Sequence, residues 1–161
     1  MFHVTAPAST DCHDVPTDSD QGVITVTKIL VAEDNDLIRD AVVGILTAAG
    51  DLTVVSQCTD GDVVLDEARR TDPDVVLMDL AMKRMGGLEA SRLLLSERPD
   101  SRVLILTGSL SAGRVREARD LGVRGYLLKG GEPEELIEAV RTVAAGGTAW
   151  SPAALAFLGL I

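Results

Sequence analysis

The chain has 161 residues, 46% of them hydrophobic and 25% charged, which is enough for one domain with a substantial core. Fifteen Lys and Arg against 25 Asp and Glu give a net charge of -10, which argues against a surface built to neutralise nucleic-acid phosphates or to bind an anionic membrane. Two cysteines rule out a disulfide scaffold and suit a reducing compartment, and no apolar run reaches the ~18 residues of a transmembrane helix.

In chain order, residues 1–25 carry Asp11, Asp14, Asp18 and Asp20 without a base, so they hold -4 of the charge and read as a disordered acidic tail. With no Lys or Arg before Lys28, neither a secretory nor a transit signal fits. His3, Cys12 and His13 lie in this tail, too scattered for a metal site. The stretch VTKILVAED (26–34) is a β-branched run ending in acids and reads as a buried strand. Helical spacing of Leu37, Ile38, Ala41, Val42, Ile45 and Leu46 follows, with Gly50 as a stop. LTVVSQ (52–57) is a second strand, and 60–70 is a helix with Asp60 as its N-cap candidate. PDVVLMD (73–79) is a third strand, apolar throughout and hence buried on both faces. Helix 87–98, strand 101–108, helix 111–122 capped by Gly122, strand 123–129 and helix 132–147 with Pro133 near its first turn complete the series. Residues 148–161 hold no charge and read as an apolar C-terminal tail or the start of a linker helix.

Five strand–helix units in strict alternation predict an α/β fold, a doubly wound five-stranded parallel sheet with helices on both faces. In such sheets ligands bind outside the carboxyl ends of the strands. Here those ends carry Glu33 and Asp34 on the first strand, Asp79 on the third, Thr107 on the fourth and Lys129 on the fifth. In the flavodoxin-like order 2-1-3-4-5 these ends converge on one cleft. Three gathered carboxylates repel unless a cation joins them, and hard oxygen donors with few protein ligands suit Mg2+. A metal, a lysine and a hydroxyl around a carboxylate make a site for a phosphoryl group. Singly, an Asp after a strand is commonly the N-cap of the next helix, and a lone Thr, Lys or Tyr126 reads as loop or core; the joint occurrence carries the argument.

The motifs ILVAEDND, DVVLMDLAM, VLILTG and GYLLKGGEPEELIEAV resemble the receiver domain of bacterial two-component response regulators over about residues 26–147. The separations agree: 28 residues from Asp79 to Thr107, 19 on to Tyr126 and 3 on to Lys129. The last motif, with VAAGGTAWSP, looks most like receivers followed by a LuxR-type helix-turn-helix. The resemblance implies that Asp79 is the phosphoacceptor, attacking the phosphohistidine of a sensor histidine kinase. It implies that Asp34 binds Mg2+ directly, Glu33 largely through water, and that Asp79 and the Ala81 carbonyl complete the protein ligands. Lys129 would pair with the phosphoryl group, Thr107 would hydrogen-bond it, and Tyr126 would follow Thr107 inward and change the helix 4/strand 5/helix 5 face. Three positions depart from the family pattern: Lys83 and Gly130 stand where Pro is frequent, and Gly86 where Asp, Asn or Ser is. None removes a reacting group. Ala81 and Ser109, which follow Asp79 and Thr107 by two residues, are poor holders of an attacking water, so slow loss of the phosphoryl group is expected.

A cytoplasmic location and a homodimer on phosphorylation fit this reading. No basic helix-turn-helix occurs in the sequence, so DNA binding is expected only through a missing C-terminal domain, the alternative being the receiver part of a LuxR-type transcription regulator. An enzyme of similar topology fits less well. A haloacid-dehalogenase-type phosphatase needs a second acid where Ala81 stands, and a flavodoxin-type loop would not carry Glu33, Asp34 and Asp36 against a phosphate.

Overall fold

A computed structural model describes residues 23–161; most of the acidic N-terminal segment, with His3, Cys12 and His13, lies outside the described residues. Period-two burial on both faces explains the apolar strands. In β1 (Thr27–Ala32), Ile29 and Val31 face one side of the sheet while Leu30 and Ala32 face the other. The same alternation splits β3 (Val75–Met78) and β4 (Val103–Thr107), which are buried along their whole length. β2 (Leu52–Cys58) and β5 (Gly125–Leu128) flank them, and every pairing is parallel.

The helices cover both faces. α1 (Asp36–Ala48) and α5 (Pro133–Ala144) bury Val42, Leu46, Leu136, Val140 and Val143 against Ile29, Val31, Leu77 and Leu104. α2 (Val64–Thr71), α3 (Gly87–Glu97) and α4 (Ala112–Leu121) bury Val64, Ala68, Leu94, Val115 and Ala118 against Leu30, Val76, Met78 and Ile105. Local signals set the helix ends. The side chains of Asn35 and Ser111 accept from the backbone N–H of Ile38 and Arg114, and Gly122 closes α4 at φ 91° as its sequence position predicts. No helix among the described residues is long and apolar enough to cross a membrane.

Two sequence expectations need correction. A sixth strand, β6 (Ala149–Trp150), joins the edge, so the sheet order is β2-β1-β3-β4-β5-β6. It is followed by α6 (Pro152–Phe157). Ala149 N–H donates to the Arg124 carbonyl at 2.9 Å and Ser151 N–H to the Tyr126 carbonyl at 3.0 Å, while Ala154 of α6 is fully buried in the same cluster as Val115, Ala118 and Tyr126. A two-residue strand has no periodicity to read. The second correction concerns Asp60. A 3-10 turn over Gly61–Val63 precedes α2, and the Asp60 side chain caps neither. It binds backbone groups far along the chain, described below.

Candidate functional site

The parallel ladders run one residue past the strand ends, and this sets the site. Glu33 N–H donates to the Cys58 carbonyl at 3.0 Å, Asp79 N–H to the Ala32 carbonyl at 3.0 Å, and Lys129 N–H to the Thr107 carbonyl at 2.8 Å. The backbone thus places Asp79 between the ends of β1 and β4, with Lys129 beside Thr107. Glu33, Asp79 and Thr107 are 3%, 4% and 2% exposed, so the charges are desolvated.

The Lys129 ammonium lies 3.0 and 2.9 Å from the two carboxylate oxygens of Glu33 and 3.1 Å from Oδ2 of Asp79. Carboxylate oxygens of Glu33, Asp34 and Asp79 lie within 4.8 Å of one another. One lysine cannot neutralise three acids. Burial, then the neighbouring Asp79, pushes Glu33 up to about 7 despite Lys129. Burial pulls Lys129 the other way, but its bonds to Glu33 and Asp79 prevail and hold its pKa above the ordinary lysine value. Oδ1 of Asp79 is buried without a hydrogen-bond partner. A bare carboxylate oxygen in an all-oxygen acidic cluster is what a hard divalent cation would satisfy, so the residues present fit Mg2+.

The remaining predicted residues fall around this cluster. Thr107 ends β4. Ala81 is exposed in the loop after β3 and offers a backbone carbonyl rather than a side-chain ligand. Tyr126 is fully buried, with its hydroxyl donating to the Ser109 carbonyl at 3.2 Å, and burial raises its pKa. The ring is therefore already inside, one loop away from Thr107. Lys83 is exposed and forms no ion pair among the described residues, which is the solvated state of a loop lysine. An apolar groove of about 1000 Å³ opens beside Lys129, between α1 and the β5–α5 loop, with Leu37, Ile38, Ile45, Leu128 and Pro133 in its wall.

The roles of two residues at this edge were not legible in the sequence. Gly87 passes so close to the phosphoacceptor candidate that a Cβ would lie 2.0 Å from the Asp79 carbonyl oxygen. The pair Gly86-Gly87 was the available signal. Asp60 is the other, and no local pattern marks its long-range bonds.

A doubly wound parallel sheet with an acid cluster, a buried threonine and a lysine at one edge defines the receiver class. The response regulator receiver domain family matches residues 29–141, and the chain belongs to that family. Response regulator GacA of Pseudomonas aeruginosa is 40% identical over 125 residues, 78% of this chain and 58% of that protein. Transcriptional regulatory protein LnrK of Bacillus subtilis is 33% identical over 125 residues, 78% of this chain and 57% of its own length. The chain thus spans little more than half the length of these relatives. Among solved structures, a LuxR-family two-component response regulator from Aurantimonas sp. SI85-9A1 superposes with a TM-score of 0.79 at 28% identity, covering 83% of this chain and 96% of that one. The LuxR affinity read from the C-terminal motifs agrees with these relatives.

Proposed function

We propose that this receiver domain takes a phosphoryl group onto Asp79 from the phosphohistidine of a sensor histidine kinase. The observation that carries the reading is the bare, buried Oδ1 of Asp79, beside an Oδ2 already held by Lys129. An Asp79 oxygen attacks phosphorus, the bond from phosphorus to the histidine nitrogen breaks, and the imidazole leaves with that electron pair. Glu33, Asp34, Asp79 and the Ala81 carbonyl would hold Mg2+, which supplies charge neutralisation for the phosphoryl oxygens. Lys129 exchanges part of its pairing with Asp79 for the phosphoryl oxygens, and the Thr107 hydroxyl donates to another of them. The apolar groove beside Lys129 supports docking of a kinase helix next to the acceptor.

The signal leaves through Thr107, the Ser109 carbonyl and the Tyr126 hydroxyl to the α4, β5 and α5 face. That face here includes β6 and α6, since Tyr126 pairs with Trp150 across the sheet edge. The chain acts as a phosphoacceptor that promotes only its own phosphorylation and dephosphorylation, in the cytoplasm, with a homodimer as the expected oligomeric response. A second reading, the receiver of a LuxR-type transcription regulator, is favoured by the names of the relatives. With -4 of the net charge of -10 in residues 1–25, the rest of the chain still carries -6, which argues that DNA contact would not fall on this acidic receiver surface. Incubation with Mg2+ and a small phosphodonor, followed by intact-mass measurement, tests the acceptor role: one phosphoryl group is expected, and none on Asp79→Asn.

A further inference from the structure

We propose that Asp60 is a positioning residue: its carboxylate fixes the path of the β3–α3 loop, residues 80–86, and through that loop sets the affinity of the acidic site for a divalent cation. The inference rests on the reading of that site given above. It starts from a buried acid that the phosphoryl chemistry does not use.

Asp60 follows β2 by two residues and is 4% exposed. Its two carboxylate oxygens accept the backbone N–H groups of Arg84 and Met85, each at 2.9 Å, across 24 and 25 residues of sequence. It makes no hydrogen bond or ion pair to Glu33, Asp34, Asp79 or Lys129. Burial works to raise its pKa, but the N–H groups of Arg84 and Met85 lead the opposing set and hold the carboxyl below its ordinary range, so it is ionised when it binds the loop.

The loop is clamped at its far end as well. Gly87 N–H donates to the Leu80 carbonyl at 3.0 Å, and the Met85 carbonyl lies so near Gly61 that a Cβ there would come within 2.4 Å. Between the Leu80 and Arg84 anchors only Ala81, Met82 and Lys83 remain, and Ala81 supplies the carbonyl assigned to the cation. A carbonyl ligand has no rotamer of its own, so its position is the position of the backbone. Two charge-assisted bonds to Asp60 hold the backbone of the C-terminal half of this loop, beside an exposed Arg84–Asp62 ion pair at 3.4 Å and the packing of the Met82 and Met85 side chains against the core.

The test measures Mn2+ binding by electron paramagnetic resonance and Mg2+ binding by calorimetry on the full chain. Asp60→Ala is expected to weaken both by about 10-fold, in line with lost outer-shell partners at metal sites. Asp60→Asn, which keeps one acceptor oxygen but turns an amide N–H2 toward a donor, is expected to give an intermediate loss and guards against misfolding of the alanine variant. Val143→Ala, in the core on the opposite face of the sheet, should lower the melting temperature and leave both affinities unchanged. Wild-type affinity in folded Asp60→Ala and Asp60→Asn, or an equal loss in Val143→Ala, overturns the positioning role. Absence of Mn2+ and Mg2+ binding by the wild type overturns the site reading itself, a distinct result.

Discussion

Burial, and then the neighbouring Asp79, raises the pKa of Glu33 although Lys129 pairs with both acids. The folded Glu33 pKa of about 7 exceeds its ordinary value of 4.5, so folding favours its protonated form. That contribution to stability is complete below pH 4.5 and is lost as pH rises through about 7. Metal-free protein should therefore lose stability across this window, which thermal melts at a series of pH values would show. Glu33→Gln should flatten this part of the profile, whereas an unchanged slope in that variant would place the titration elsewhere. Mg2+ should reverse the trend, since it needs the ionised carboxylate; at about a hundred times its Kd it adds ~2.7 kcal/mol. Gly87 is the second sensitive residue. Gly87→Ala drives a methyl to 2.0 Å from the Asp79 carbonyl, and the backbone must yield. A cost of about 1–3 kcal/mol in denaturant unfolding, with slower phosphoryl labelling, is expected.

At the scale of elements, the strands that carry the site were legible because their chemistry is local. Short apolar runs bounded by turns fit strands buried on both faces, the alternation of strands with helices predicts a parallel sheet, and the flavodoxin-like order brings the site-bearing strand ends together. Glu33, Asp34, Asp79, Thr107 and Lys129 are therefore placed at one edge by the sequence pattern. What was not legible depends on distant partners. Asp60 precedes a helical pattern and so reads as a cap, but the groups that claim it lie 24 and 25 residues on. β6 is a pair of residues whose strand character comes only from the free edge of β5. Gly125 is small for the same reason: a Cβ there would lie 2.2 Å from the Ala149 carbonyl oxygen and 2.7 Å from Leu104 Cδ1. Gly125→Ala should separate β6 from β5. Trp150 is the sole tryptophan, so a red-shifted emission reports the separation directly. An unshifted spectrum would mean that β6 does not depend on this close approach.

At the scale of the molecule, the packed sheet buries Asp79, and under the proposed function the loops around it would set how long a phosphoryl group stays. Ala81 presents only a methyl, and the short Ser109 hydroxyl, which accepts from the Arg114 guanidinium at 3.4 Å, is a weak holder of water. Decay of labelled protein should be slow, and Ala81→Asn should shorten the lifetime several-fold by supplying an amide that can hold water. A half-life of a few seconds in the unaltered chain would contradict this. The most direct measurement remains intact-mass analysis after Mg2+ and a small phosphodonor, with the modified residue located by borohydride trapping of the acyl phosphate. A single phosphoryl group is expected on Asp79, and it should disappear in Asp79→Asn and when Mg2+ is chelated. Full labelling of Asp79→Asn, or no labelling of the unaltered chain, would contradict the acceptor role.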